Sequence, residues 1–176
     1  MDKIDIKNLS RSGLEKALAD FGLQRYRAGQ VYRWLYKSHV KSFDDMTDIP
    51  AGLRQILKDA FHITRLTLLD QKRSRVDGTT KYLFKLKDDN TIETVFLPEA
   101  GRNTICLSSQ VGCKYGCAFC ASAPFGFIRN LETSEILDEV ISVKRLNPNS
   151  PITNLVFMGI GAVSYTHLTL PTKRIV

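Results

Sequence analysis

The sequence lacks any run of about 18 uninterrupted apolar residues, which excludes a membrane-spanning helix. Its opening residues, Met1-Asp2-Lys3-Ile4-Asp5, contain no apolar leader core, so no secretory signal is read and a reducing cytoplasm is the expected compartment. Cysteine is scarce: four in 176 residues. In a reducing compartment so few thiols point to a metal or a catalytic sulfur rather than a disulfide framework. The three histidines are isolated, and His62 and His167 are poor ligand candidates. Internal repeats and low-complexity stretches are absent. Apolar residues make up 43% and charged residues 24%, ordinary values that remove collagen-like, disordered and coiled-coil classes. The length suits one domain, or one small domain with part of a second.

Charge is present and uneven. The formal net charge is +7. Residues 1–90 carry 18 basic against 12 acidic side chains, and residues 91–176 carry 7 against 6. A basic first half suits a polyanion such as RNA or DNA, although a solvated basic surface explains the charge equally well.

Hydrophobic periodicity divides the chain. Up to about residue 62 it is helical. Ser12-Gly13-Leu14-Glu15 reads as a capping box, with Leu14, Leu18 and Phe21 on one face until Gly22. A second helix is expected from Arg25 to His39, with Val31, Trp34 and Leu35 inward and Arg27, Arg33 and Lys37 outward. Ile49-Pro50 opens a third, carried by Leu53, Ile56, Leu57 and Phe61. Residues 63–103 alternate instead, as three antiparallel strands turned at Asp77-Gly78 and Asp88-Asp89-Asn90. A more apolar strand from Thr104 to Ser109 leads into a Gly- and Cys-rich loop, Gly112 to Asn130. A helix capped by Thr133 follows, with Ile136, Leu137, Val140 and Ile141 as its inward stripe, and then a strand from Asn154 to Met158. Strand, loop, helix, strand is one βα unit and the start of another. A closed barrel of such units needs about 200 residues or more, so only its beginning is expected here. Residues 162–176 continue neither pattern.

The informative segment is Cys113-Lys114-Tyr115-Gly116-Cys117-Ala118-Phe119-Cys120. Three thiolates spaced C-x3-C-x2-C on a short loop suit three irons of a [4Fe–4S] cluster, leaving the fourth iron open to a chelating ligand. A structural zinc site wants four ligands, usually from two paired knuckles, and no second C-x-x-C exists. Iron–sulfur is favoured over zinc. Unliganded buried cysteines are the third alternative.

The same residues, with Cys106-Leu107-Ser108-Ser109-Gln110-Val111-Gly112 before them and Gly126-Phe127-Ile128-Arg129-Asn130-Leu131 after them, resemble the RlmN/Cfr family of radical S-adenosylmethionine (SAM) RNA adenine methyltransferases. The resemblance runs from residue 1 to about 161. It implies an α/β fold: a helical RNA-binding domain over residues 1–62, a β region over 63–103, and the truncated start of a radical SAM (β/α) barrel over 104–161. It implies that Cys113, Cys117 and Cys120 hold a [4Fe–4S] cluster and that SAM is the second cofactor. Cys106 matches the cysteine that resolves a protein–RNA intermediate, and Glu93 the acidic residue that accepts a proton. Phe119 either packs near the adenine of SAM or simply fills the loop, and Gly161 begins the segment that holds its amino group. The implied partners are 23S rRNA and certain tRNAs, with an electron donor such as flavodoxin or ferredoxin; a monomer and no membrane are expected.

The likeness stops at Gly161. The family continues Gly-Glu-Pro, whereas this chain has Ala162 and Val163, and no fifth cysteine is present to carry a methyl group. Residues 162–176 are therefore expected to be non-native, and this chain alone is expected to be inactive. A small zinc-binding RNA adaptor without catalysis is the rival expectation.

Overall fold

The computed structural model describes residues 3–118 and 120–162. Two compact units emerge among the described residues: one holds those up to Arg65 together with Glu132–Ile141, the other Leu66–Leu131 and residues 142–162. Among the described residues, no helix is long and apolar enough to cross a membrane.

The first unit is helical. A short strand β1 (Ile4–Asp5) precedes α1 (Arg11–Ala19), α2 (Arg25–Tyr36) and α3 (Ala51–Ala60), and β2 (Phe61–His62) returns to pair parallel with β1. Helical spacing turns Leu14 and Leu18, then Ala28, Val31 and Leu35, then Leu53 and Leu57 into one closed apolar core with Ile6, Met46 and Phe61. The cap of α1 is Ser10, whose side chain accepts from the Gly13 amide, and not Ser12. Glu15, expected as the capping carboxylate, instead pairs with Arg25 at 2.7 Å. Phe21 lies past the helix end, 47% exposed, with its ring edge-on to Phe61.

Five strands form the sheet of the second unit: β3 (Thr67–Arg73), β4 (Thr80–Lys85), β5 (Thr91–Glu99), β6 (Arg102–Cys106) and β9 (Asn154–Val156), in the order β3-β4-β5-β6-β9. The first four pair antiparallel in succession, and β6 pairs parallel with β9. Two further strands, β7 (Gln110–Gly112) and β8 (Phe127–Asn130), make an antiparallel ribbon inside the stretch read as loop. The strand expected to reach Ser109 ends at Cys106, because the chain turns there into the ribbon.

The helix α4 (Thr133–Leu146) joins β8 to β9, so β6, α4 and β9 make a parallel crossover. The fold is mixed α/β, as the sequence implies. Thr133 is the first helical residue and not the cap, since the Ile136 amide reaches back to the Glu132 carbonyl. The inward stripe also differs from expectation. Ile136, Leu137 and Val140 are half-buried, while Asp138 and Glu139 are fully buried beside Ile141 and Val143. The reason is Lys7. Its ammonium, 2% exposed as a residue, bonds the Asp138 carboxylate and donates to the Thr64 carbonyl at 2.8 Å. A buried charge is tolerated only with a partner of this kind.

Candidate functional site at the cysteine ribbon

Strand alternation sorts the sheet into two faces. Tyr82, Phe84, Ile92, Phe96 and Ile105 fill the buried one. The register places Leu83 opposite Glu93, and Val95 opposite both Lys81 and Cys106, on the other face. Glu93 and Cys106 therefore share one face, on adjacent strands. Glu93 is half-exposed, and the Lys81 ammonium holds its Oε1 at 2.7 Å across the β4–β5 pair. Cys106 is half-buried, with Val156 of β9 opposite it on its other side.

The ribbon carries the other cysteines. Cys113 follows β7 directly, and its amide donates to the Gly126 carbonyl at 2.7 Å. The Cys120 amide closes a turn on the Cys117 carbonyl at 2.9 Å. Gly112 has φ +66°, and a Cβ there would fall on the Gly126 carbonyl oxygen, so only glycine lets the two limbs of the ribbon close. The three thiols are free and half-buried on one loop. Among the described residues, no three Cys, His, Asp or Glu side chains converge on a single point. The donor set itself, three soft thiols on one short loop, is of the kind that iron–sulfur clusters take.

Three buried polar residues, Ser108, Ser109 and Gln110, tie this site together. The Ser108 hydroxyl donates to the Glu93 carbonyl at 2.7 Å and accepts from the Ile160 amide at 3.1 Å. Ser109 donates to the Gly161 carbonyl at 3.0 Å. The Gln110 amide nitrogen donates to Asn130 at 2.9 Å, across the ribbon. Gly161 has φ +82°, and a Cβ there would strike the Ser109 and Gln110 side chains. Nothing in the motif's spacing assigns these three residues a role. Their signal is a polar run following an apolar strand, where the backbone leaves the sheet but stays buried.

A cleft of about 500 Å³ opens on this face between Lys81 and Glu93 of the sheet, Gly112, Ser122 and Ile128 of the ribbon, and Ile160 after β9. The size suits a small-molecule ligand. Cys106 and the three loop cysteines are not among its lining residues. Arg129 of β8 ties the ribbon to the β4–β5 turn, its Nε 2.8 Å from Asp88 Oδ2. That guanidinium, with help from Asn90, holds the Asp88 carboxyl down at about 2. Phe119 and residues 163–176 lie outside the described residues.

Comparison with known proteins finds a family model and relatives that this chain is similar to. Residues 4–63 match the ribosomal RNA large subunit methyltransferase N-terminal domain family. The chain is 44% identical over 161 residues to a dual-specificity RNA methyltransferase RlmN of Geotalea uraniireducens (strain Rf4), covering 92% of this chain and 46% of that protein. Over about 160 residues the chain is thus similar to RlmN methyltransferases. A second RlmN, from Geobacter sulfurreducens, is 46% identical over 158 residues, covering 90% of this chain and 43% of the relative. The crystal structure of a radical SAM methyltransferase from Sphaerobacter thermophilus superposes with a TM-score of 0.82 at 37% identity, covering 90% of this chain and 47% of that one. The chain thus spans about half the length of the curated relatives it matches.

Proposed function

We propose that this chain contributes the RNA-binding and cluster-binding half of a radical SAM methyltransferase that acts on adenine C2 of 23S rRNA and certain tRNAs through a methyl-cysteine intermediate. The observation that carries the reading is the common face of Glu93 and Cys106, with Gly112 and Ser122 of the cysteine-bearing ribbon lining the same cleft as Glu93. Cys113, Cys117 and Cys120 would hold the [4Fe–4S] cluster as thiolates, with SAM bound near Gly161 and Phe119 and an electron donor of the flavodoxin or ferredoxin type. When bound, cluster and SAM supply the one-electron chemistry that a carbon closed to polar attack requires.

The chain's own residues take up the rest. Lys81 keeps the Glu93 carboxylate directed over the cleft. Glu93 accepts the proton that leaves C2. The Cys106 sulfur closes onto the methyl-carrying cysteine and so frees the base. All four cysteines of the sequence have a task in this scheme, and none is left to carry the methyl group. Ala162 also offers no carboxylate to hold an amino group.

Anaerobic reconstitution tests the reading. About four iron and four sulfide per chain are expected, falling away in Cys117→Ala. One zinc per chain with no sulfide would make the chain a zinc-binding adaptor and overturn it. With SAM, reductant and rRNA, the reconstituted chain is expected to yield no methyladenosine by mass spectrometry, because no methyl-carrying cysteine is present.

A further inference from the structure

The helical unit carries a surface that its core does not explain. α2 buries Ala28, Val31 and Leu35. On the side away from them it leaves Tyr26 53% and Tyr32 37% exposed. Two hollows adjoin there. Arg11, Arg25 and Tyr26 line one, Arg11, Tyr32, Arg33 and Lys37 line the other, and Gly29 belongs to both. The carboxylates in reach are Glu15, 2.7 Å from Arg25 and 3.6 Å from Arg11, and Asp48, 2.5 Å from Arg33. Cations outnumber them. The Arg27 guanidinium lies 4.7 Å from the centre of the Tyr26 ring, and the Tyr32 ring is braced against Tyr36 at 4.4 Å.

Gly29 is the odd residue. A glycine inside a helix costs about 1 kcal/mol relative to alanine. Packing does not ask for it, because a Cβ at this position would meet nothing within 4 Å, and its φ lies outside the left-handed region. What glycine leaves is bare helix backbone at the floor where the hollows meet, flanked by two tyrosines and a line of cations.

We infer that this groove binds single-stranded RNA, with bases stacked on Tyr26 and Tyr32, phosphates held by Arg11, Arg25 and Lys37, and the strand crossing the helix at Gly29. Exposed aromatic faces between cations are what unpaired bases and their phosphates need, and a duplex hides those base faces. The inference rests on the proposed function for the choice of RNA as the polyanion, and it adds the surface and the strand state.

The test uses the 176-residue chain without iron and a fluorescent single-stranded oligoribonucleotide, read by anisotropy, with the same sequence in duplex as comparison. The single strand is expected to bind at least tenfold more tightly than the duplex. Tyr26→Ala and Tyr32→Ala should each weaken it about tenfold, while Tyr26→Phe keeps the stacking face and the affinity. Removing Lys37 should lower the salt slope by about one phosphate contact. Gly29→Ala should raise the melting temperature while weakening binding, and Gly29→Gln should weaken it further; a role in folding alone would move both the same way. Equal affinity for the duplex, no single-strand binding at low salt, or full affinity in folded Gly29→Gln would overturn the inference. A zinc-loaded chain that still shows this binding would sink the methyltransferase reading alone. An iron–sulfur chain lacking the binding would sink the groove alone.

Discussion

The helical unit and the cysteine ribbon are held in order by different means. In the helices a closed set of apolar side chains, among them Leu35, Met46 and Leu57, excludes water, and chemistry-bearing groups stay outside. In the ribbon Phe125, Phe127 and Ile128 are exposed at 81%, 44% and 59%, so little apolar surface is removed from water. Its order comes from backbone hydrogen bonds, buried serines and a glutamine, and glycines at close approaches. Burial that stabilises a core also removes groups from ligands. The ribbon keeps its thiols half-buried and accessible, and polar contacts maintain its shape.

The contrast is most sharply broken at Lys7, where the helical unit departs from its own rule. Lys7→Met leaves the Asp138 carboxylate buried without its cation and is expected to cost about 3–5 kcal/mol in urea unfolding. Replacing both, Lys7→Met with Asp138→Leu, should recover most of that loss. A single variant as stable as the parent would show that the pair does not carry the burial. Next in size, Leu57→Ala should cost about 2–5 kcal/mol, whereas Phe125→Ala should stay within about 0.5 kcal/mol. Trp34, the one tryptophan, reports on the helical core it packs against. Equal losses for the two variants would erase the distinction between the regions. Gly112→Ala reverses it: about 1–3 kcal/mol of local strain and a clash with Gly126 should abolish iron uptake while the Trp34 melt stays in place.

Parts of this division were legible in the sequence. The period of Leu14 and Leu18, Val31 and Leu35, Leu53 and Leu57 marked three helices, and alternation marked the β4 and β5 strands. Those signals are local. What was not legible depends on distant partners. The spacing of Ser12 and Glu15 reads as a capping box, yet Ser10 takes the cap and Glu15 pairs with Arg25, ten residues on. Asp138 and Glu139 read as an outward edge of α4, and only Lys7, 131 residues earlier, turns Asp138 inward. The ribbon strands are three and four residues long, too short for any period to show, and their closure hangs on Gly112 meeting Gly126 across the cysteine loop. The spacing of Cys113, Cys117 and Cys120 was plain, but the shared face of Glu93 and Cys106 emerges only from strand register.

The smallest expected effect is also the most local. Asp88 has its carboxyl pulled from 3.8 to about 2, chiefly by the Arg129 hydrogen bond. A depressed folded-state value means the tie stabilises the protein above the unfolded value of about 3.9 and is lost as pH falls toward 2. Both side chains are about a third exposed, 31% for Arg129 and 39% for Asp88, so solvent screening limits the contribution to under about 1 kcal/mol. It acts where the ribbon meets the β4–β5 turn, beside the cleft. Hydrogen-exchange protection of the β8 amides should therefore fall between about pH 4 and pH 2 in the parent, before the helical unit melts. In Asp88→Asn the guanidinium keeps a neutral acceptor but loses the charge, so β8 should be less protected at pH 6 and show no further step in that window. If protection of β8 follows the same acid profile in both proteins, the ribbon owes its closure to Gly112 and Gln110 alone, and the two regions differ even more than the Arg129 contact suggests.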